Sequence, residues 1–192
     1  MRYLIFTLLF LCSACIQIGS APQPTNYYLL EPMRDAQEIR LDSNLNIHLE
    51  LISFPEYLDR YQIVTKGGKN GIVFSDSERW AEPVRDNLMR VIREDLMLLI
   101  PNSTITLGPW ESSSSSASAI KVKLIVNQFS GELGAYALTD IRWKIRREME
   151  PMSQGHFTDR QDVGENFSDF IVTLNREINN FSSELAMKLR EH

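Results

Sequence analysis

The sequence predicts an α+β fold, a two-layer sandwich with an antiparallel or mixed sheet of about five to seven strands and two main helices on one face. Two segments carry apolar residues at helical spacing. Several others alternate apolar and polar residues, as strands with one covered face do. The 192-residue chain is 43% hydrophobic and 23% charged, enough for one core of ordinary size. An amphipathic helix must bury its stripe and an alternating strand one face, so stacking one on the other satisfies both.

Asn46 to Phe54 sets Ile47, Leu49 and Leu51 against polar neighbours and predicts a strand. Gln62–Thr65 and Ile72–Phe74 flank Lys66-Gly67-Gly68-Lys69-Asn70-Gly71 as the arms of a hairpin. Pro83 suits a first helical position, where no N–H is needed. Val84, Leu88, Val91, Ile92, Leu96 and Leu99 then line one helical face and Arg85, Asp86, Arg90, Arg93 and Glu94 the other, until Pro101 stops the helix. The tract Ser112–Ser116, continuing to Ala119, reads as a surface connector between strands. Ile120–Val126 and Asp140–Arg146 alternate, with Ser130-Gly131-Glu132 expected to turn the chain between them, and Phe157–Val163 adds a strand. Phe167, Ile171, Leu174, Ile178, Phe181, Leu185 and Leu189 predict a second helix, with Lys188 and Arg190 favourably placed at its negative end.

The N-terminus reads as an address. After Arg2, Tyr3 to Leu11 runs uncharged. That is too short to span a bilayer, which takes roughly twenty residues, but it suits the apolar core of a secretory signal. Cys12-Ser13-Ala14-Cys15 follows and resembles the bacterial lipobox, with Cys12 where Leu is usual. The expected organisation is a signal peptide over 1–14, an acylated Cys15 with a flexible tether to residue 26, and a single domain over 27–192. Acylation would make a lasting anchor. Ile16, where an inner-membrane retention signal would have Asp, directs the protein to the periplasmic side of the outer membrane. The tether from Gln17 to Asn26 reaches at most about 35 Å.

Composition and motifs argue against several function classes. A net charge of −5 lacks the basic excess of a nucleic-acid binder. Mean hydropathy of −0.21 excludes a polytopic membrane protein. Cys12 and Cys15 lack the second pair a structural zinc site needs, and His48, His156 and His192 show no ligand spacing, so neither metal nor cofactor is expected. The glycine-rich turn at 66–71 leads into a strand and lacks phosphate-loop order. Pairs such as Glu78 with Glu82, or Glu56 with Asp59, are read as surface ion pairs and not as catalytic carboxylates. The expectation is a protein that is not an enzyme.

Two stretches are unusual. Pro55-Glu56-Tyr57-Leu58-Asp59-Arg60-Tyr61-Gln62-Ile63-Val64-Thr65 sets charged residues and two tyrosines between apolar segments, and Arg79-Trp80-Ala81-Glu82-Pro83 immediately precedes a helix. Asp59, Arg60, Gln62, Arg79, Trp80 and Glu82 are the candidate site residues. They serve either to fix loop geometry or to dock a partner, for which Trp, Tyr and Arg are the favoured types.

With Tyr27-Tyr28-Leu29-Leu30, the lipobox Cys15 and the C-terminal Phe181-Ser182-Ser183-Glu184-Leu185-Ala186, these stretches resemble the ABC-type transport auxiliary lipoproteins. This is the PqiC/YmbA-like family, the lipoprotein component of paraquat-inducible-type MCE transport systems. Tyr61 stands where the family often has Pro. The resemblance implies an α+β domain held in the outer membrane through acylated Cys15. It would work with an MCE-domain inner-membrane protein in lipid transport and envelope integrity, and a homo-oligomer is a family-level expectation. Alternatives are a periplasmic lipid carrier or an accessory lipoprotein of another envelope machine.

Overall fold

Alternation builds the strands of this protein, and two helical stripes cover them. The computed structural model describes residues 24–39, 44–109, 119–147 and 152–191. In chain order the elements are β1 (Asn26–Tyr28), β2 (Leu45–Ser53), β3 (Gln62–Lys66), β4 (Ile72–Trp80), α1 (Val84–Leu99), β5 (Ser103–Leu107), β6 (Ile120–Glu132), β7 (Tyr136–Arg146), β8 (Ser153–Asp162) and α2 (Phe167–Leu189). The signal segment, Cys15 and the serine tract lie outside the described residues.

The expected α+β arrangement with two helices is present, its strands divided between two sheets. The larger sheet is mixed, in the order β5-β2-β6-β7-β8. β5, β2 and β6 run parallel, and β6, β7 and β8 antiparallel. The smaller sheet, β1-β4-β3, pairs β1 parallel and β3 antiparallel to β4. Strand register places Ile47 and Leu49 of β2, Val122 and Leu124 of β6, and Ile141 and Ile145 of β7 on one face. All are buried together with Leu88, Ile92 and Leu96 of α1 and Leu174, Ile178, Phe181 and Leu185 of α2. Each such side chain contributes about 1.5–3 kcal/mol on leaving water. Phe157 meets Phe181 edge to face at 5.4 Å, fixing α2 over β8.

The helix ends follow local chemistry. Pro83 sits one position outside α1, and its carbonyl accepts the Asn87 N–H at 3.0 Å. The Asn166 side chain caps α2 by accepting the Asp169 N–H at 2.8 Å.

The turn expected at Ser130-Gly131-Glu132 lies further on. Those residues continue β6 opposite Leu138, Ala137 and Tyr136, and the chain reverses through Leu133–Ala135, where Gly134 supplies a φ of +73°. Gly131 serves packing instead: a Cβ there would collide with the Tyr136 carbonyl and lie 2.9 Å from the Phe170 ring.

Candidate docking surface on the small sheet

The segments singled out in the sequence converge on the three-stranded sheet. Tyr27, Arg79 and Gln62 stand in one row across β1, β4 and β3. The Trp80 N–H donates to the Tyr61 carbonyl at 2.7 Å, and the Ala81 N–H to the Tyr28 carbonyl at 2.9 Å. Three stretches distant in sequence are thus tied together by their own backbones.

Within this junction the candidate residues divide by role. Trp80 is 5% exposed and stacks on Phe129 of β6, centroids 6.2 Å apart, so it joins the small sheet to the large one. Glu82 accepts from the Arg90 guanidinium at 3.1 Å, and Arg90 also reaches Glu94 and the Leu30 carbonyl, each at 3.3 Å. Arg60 lies over the Phe74 ring at 4.1 Å, a cation–π contact. Gln62 and Arg79 are half-buried, whereas Asp59 is exposed in the tight turn after Pro55, where the Asp59 N–H donates to the Glu56 carbonyl at 3.2 Å. Cys15 is not among the described residues.

Glu78 was grouped with Glu82 as a surface carboxylate, but β4 turns it inward. It accepts from the Tyr28 hydroxyl at 2.7 Å, the Ser77 hydroxyl at 2.8 Å and the Asn26 amide at 3.0 Å. Burial alone would raise its pKa, but these donors outweigh it and hold the carboxyl below its ordinary range. Burial, with the adjoining Glu78 as acceptor and charge, pushes Tyr28 up to about 12. The pair fixes β1 on β4.

Beyond β1 the chain becomes a strap across both helices, held by side chains that take the place of strand partners. Asn87 of α1 accepts the Leu30 N–H at 2.7 Å and donates to the Leu30 carbonyl at 3.1 Å. Asn175 of α2 does the same for Glu31, at 2.6 and 3.0 Å. Asp95 accepts the Met33 N–H at 2.7 Å, and the Leu99 carbonyl accepts the Ile39 N–H at 2.6 Å. Sequence reasoning did not find these clamps. Asn87 and Asp95 stand eight residues apart, one before Leu88 and one before Leu96 of the apolar stripe, and that spacing is the available signal.

What the small sheet leaves uncovered is apolar. Tyr27, Tyr61, Ile72, Val73 and Phe74 are all exposed, Tyr27 and Tyr61 by more than half. A cleft of about 650 Å³ between β2 and the start of α1 is lined by Leu51, Pro83, Met89, Leu107 and Pro109 as well as Glu50, Asp59, Arg85 and Asp86. Among the described residues no three His, Cys, Asp or Glu side chains gather where a metal could bind. No described helix is long and apolar enough to cross a membrane.

A profile of the family described as the ABC-type transport auxiliary lipoprotein component matches residues 27–186. The chain belongs to this family. The match spans β1, the strap, both sheets and most of α2, so the family resemblance seen in the sequence extends over the whole folded region. Among solved structures, an uncharacterized protein is similar with a TM-score of 0.72 at 16% identity, over 87% of this chain and 99% of that one. Protein XCC0632 from Xanthomonas campestris, of the family DUF330, is similar with a TM-score of 0.63 at 12% identity, over 84% of this chain and 93% of that one. At such identities the likeness speaks for the fold. A search of curated proteins gives no match. The protein is therefore an auxiliary lipoprotein of a transport system.

Proposed function

We propose that this auxiliary lipoprotein docks a periplasm-spanning MCE-type transport complex to the outer membrane, anchored by acylated Cys15 and catalysing nothing itself. The observation that carries the reading is the small sheet. Family motifs from three parts of the chain meet there, Trp80 and Glu78 are committed inward, and Tyr27, Tyr61, Ile72, Val73 and Phe74 face outward. Exposed aromatic and apolar residues beside Arg60 and Arg79 have the composition of a binding hot spot.

On this reading the domain begins near residue 27 and the preceding residues serve only as signal, anchor and tether. The test is co-purification of the acylated full chain from native membranes. Recovery of an MCE-domain protein, lost when Phe74→Ser and Val73→Ser are combined, supports the reading. Recovery of a different envelope machine, with no MCE protein, overturns it.

A further inference from the structure

β4 runs extended from Ile72 to Trp80, yet β1 pairs only with its last three residues, Glu78–Trp80. On the other side β3 pairs with Ile72–Phe74 and then, after a register shift, with Arg79. Among the described residues, Ser75, Asp76 and Ser77 thus hold a strand conformation with no strand partner on either side. What fixes them is local: the Glu78 N–H donates to the Ser75 hydroxyl at 2.9 Å. The edge of β4 in line with β1 is open from Ile72 to Ser77, and Ile72, Val73 and Phe74 along it are exposed. An open edge of this kind is a template for a further strand.

The residues that precede β1 enter from this side but do not pair with β4. The parallel register sets Asn26 opposite Glu78, so Thr25 and Pro24 would come next, beside Ser77 and Asp76. The ladder stops before them, and neither lies in a strand. The Ala81 N–H donates to the Tyr28 carbonyl at 2.9 Å, so the backbone groups of Tyr28 face β4. By the two-residue period of a strand, Asn26 and then Pro24 are the next to face it. Proline has no N–H to give at such a position. In the sequence Pro22 repeats the obstacle two residues earlier. Proline thus bars the tether from the edge at two successive positions where an N–H is needed.

We propose that the transport partner docks by adding a strand to this open edge of β4, with an extended, proline-free segment in line with β1. The proposal rests on the docking reading above and specifies the form of the partner's contact. Strand addition supplies hydrogen-bond partners to the backbone of Ser75–Ser77 and lays the partner's side chains beside Ile72, Val73 and Phe74. Charge along the edge sets what the segment carries. Residues 61–75 include Lys66 and Lys69 but no Asp or Glu, whereas Asp76 is exposed toward the β1 end. The segment that fits is apolar and β-branched at its centre, acidic at the hairpin end and basic beside Asp76.

The test is binding of the acylated full chain to the MCE-domain protein, with hydrogen exchange read at Ile72–Ser77. Binding should slow the fast-exchanging amides of this stretch on the order of tenfold or more, while Leu30–Met33 stay unchanged. Pro22→Val combined with Pro24→Val lets the chain extend β1 along its own edge and leaves every side chain of the small sheet in place. This variant should slow the same amides in the free chain and weaken partner binding on the order of tenfold. Partner binding that leaves Ile72–Ser77 fast overturns strand addition, and docking through side chains alone then stands. So does a variant that protects these amides yet binds undiminished. Amides that stay fast in the variant show that the edge does not accept a strand, which overturns the proposal as well. Protection that grows with concentration of the native chain alone puts a second copy on the edge and also overturns it. A native chain that binds no MCE-domain protein removes the docking reading and this one with it.

Discussion

Glu177 and Asp95 are carboxyls with no exposed surface, on α2 and α1 respectively. Glu177 accepts from the Thr139 hydroxyl at 2.7 Å. Burial, reinforced by the charge of Asp159, pushes its pKa up to about 7, and burial pushes Asp95 up to about 6. The folded protein thus holds these protons where the unfolded chain has released them. Their contribution to stability is full below the ordinary carboxylate range and is lost as pH rises from about 4 through about 7. Glu177→Gln should raise the denaturation midpoint at pH 8 by an equivalent of about 1–3 kcal/mol and flatten the decline between pH 5 and 8. Parallel pH profiles for the two proteins would contradict this. Trp80 is a residue of a different kind: its burial against Phe129 makes it structural. Trp80→Ala should cost about 3–5 kcal/mol in urea unfolding. A loss under 1 kcal/mol would mean that the two sheets do not depend on that contact.

At the scale of elements, the strap is held by the burial of Leu30 and by the Asn87 amide. Asn87→Ala leaves the N–H of buried Leu30 without its acceptor, at about 1–3 kcal/mol, while the Leu30 carbonyl keeps the Arg90 guanidinium as donor. Hydrogen exchange at Leu30–Met33 should then accelerate while β6 and β7 stay protected. Uniform exchange across the protein would show instead that strap and core open together.

The elements legible in the sequence were those with a long period. Both helices, β2, β3, the start of β4, the first half of β6 and the second halves of β7 and β8 are legible from spacing alone. β1 and β5 have three and five residues and owe their strand conformation to parallel partners far along the chain, so no local pattern reveals them. The β6–β7 turn was misplaced because two nearby glycines do different jobs, Gly131 permitting close packing and Gly134 a positive φ. The site was half legible. The Tyr61–Gln62 and Arg79–Trp80 motifs stand out, but Ile72, Val73 and Phe74 read only as one arm of a hairpin. Apolar identity does not say whether a hairpin end reaches beyond the sheet that would cover it.

At the scale of the whole molecule, the strap crosses both helices, and the small sheet exposes apolar side chains at its hairpin. Trp80 ties the far end of β4 to the large sheet, so hairpin substitutions should act on association without unfolding the domain. Phe74→Ser with Val73→Ser removes two half-exposed side chains, and stability should fall by about 1–2 kcal/mol, well short of unfolding the domain. The central claim is that this hairpin region docks the lipoprotein to its transport partner. Its most direct test is equilibrium binding between the purified full chain and the MCE-domain protein from the same organism. The account predicts saturable binding that the double hairpin substitution weakens on the order of tenfold or more. No binding by the native chain, or undiminished binding by the substituted one, would contradict it.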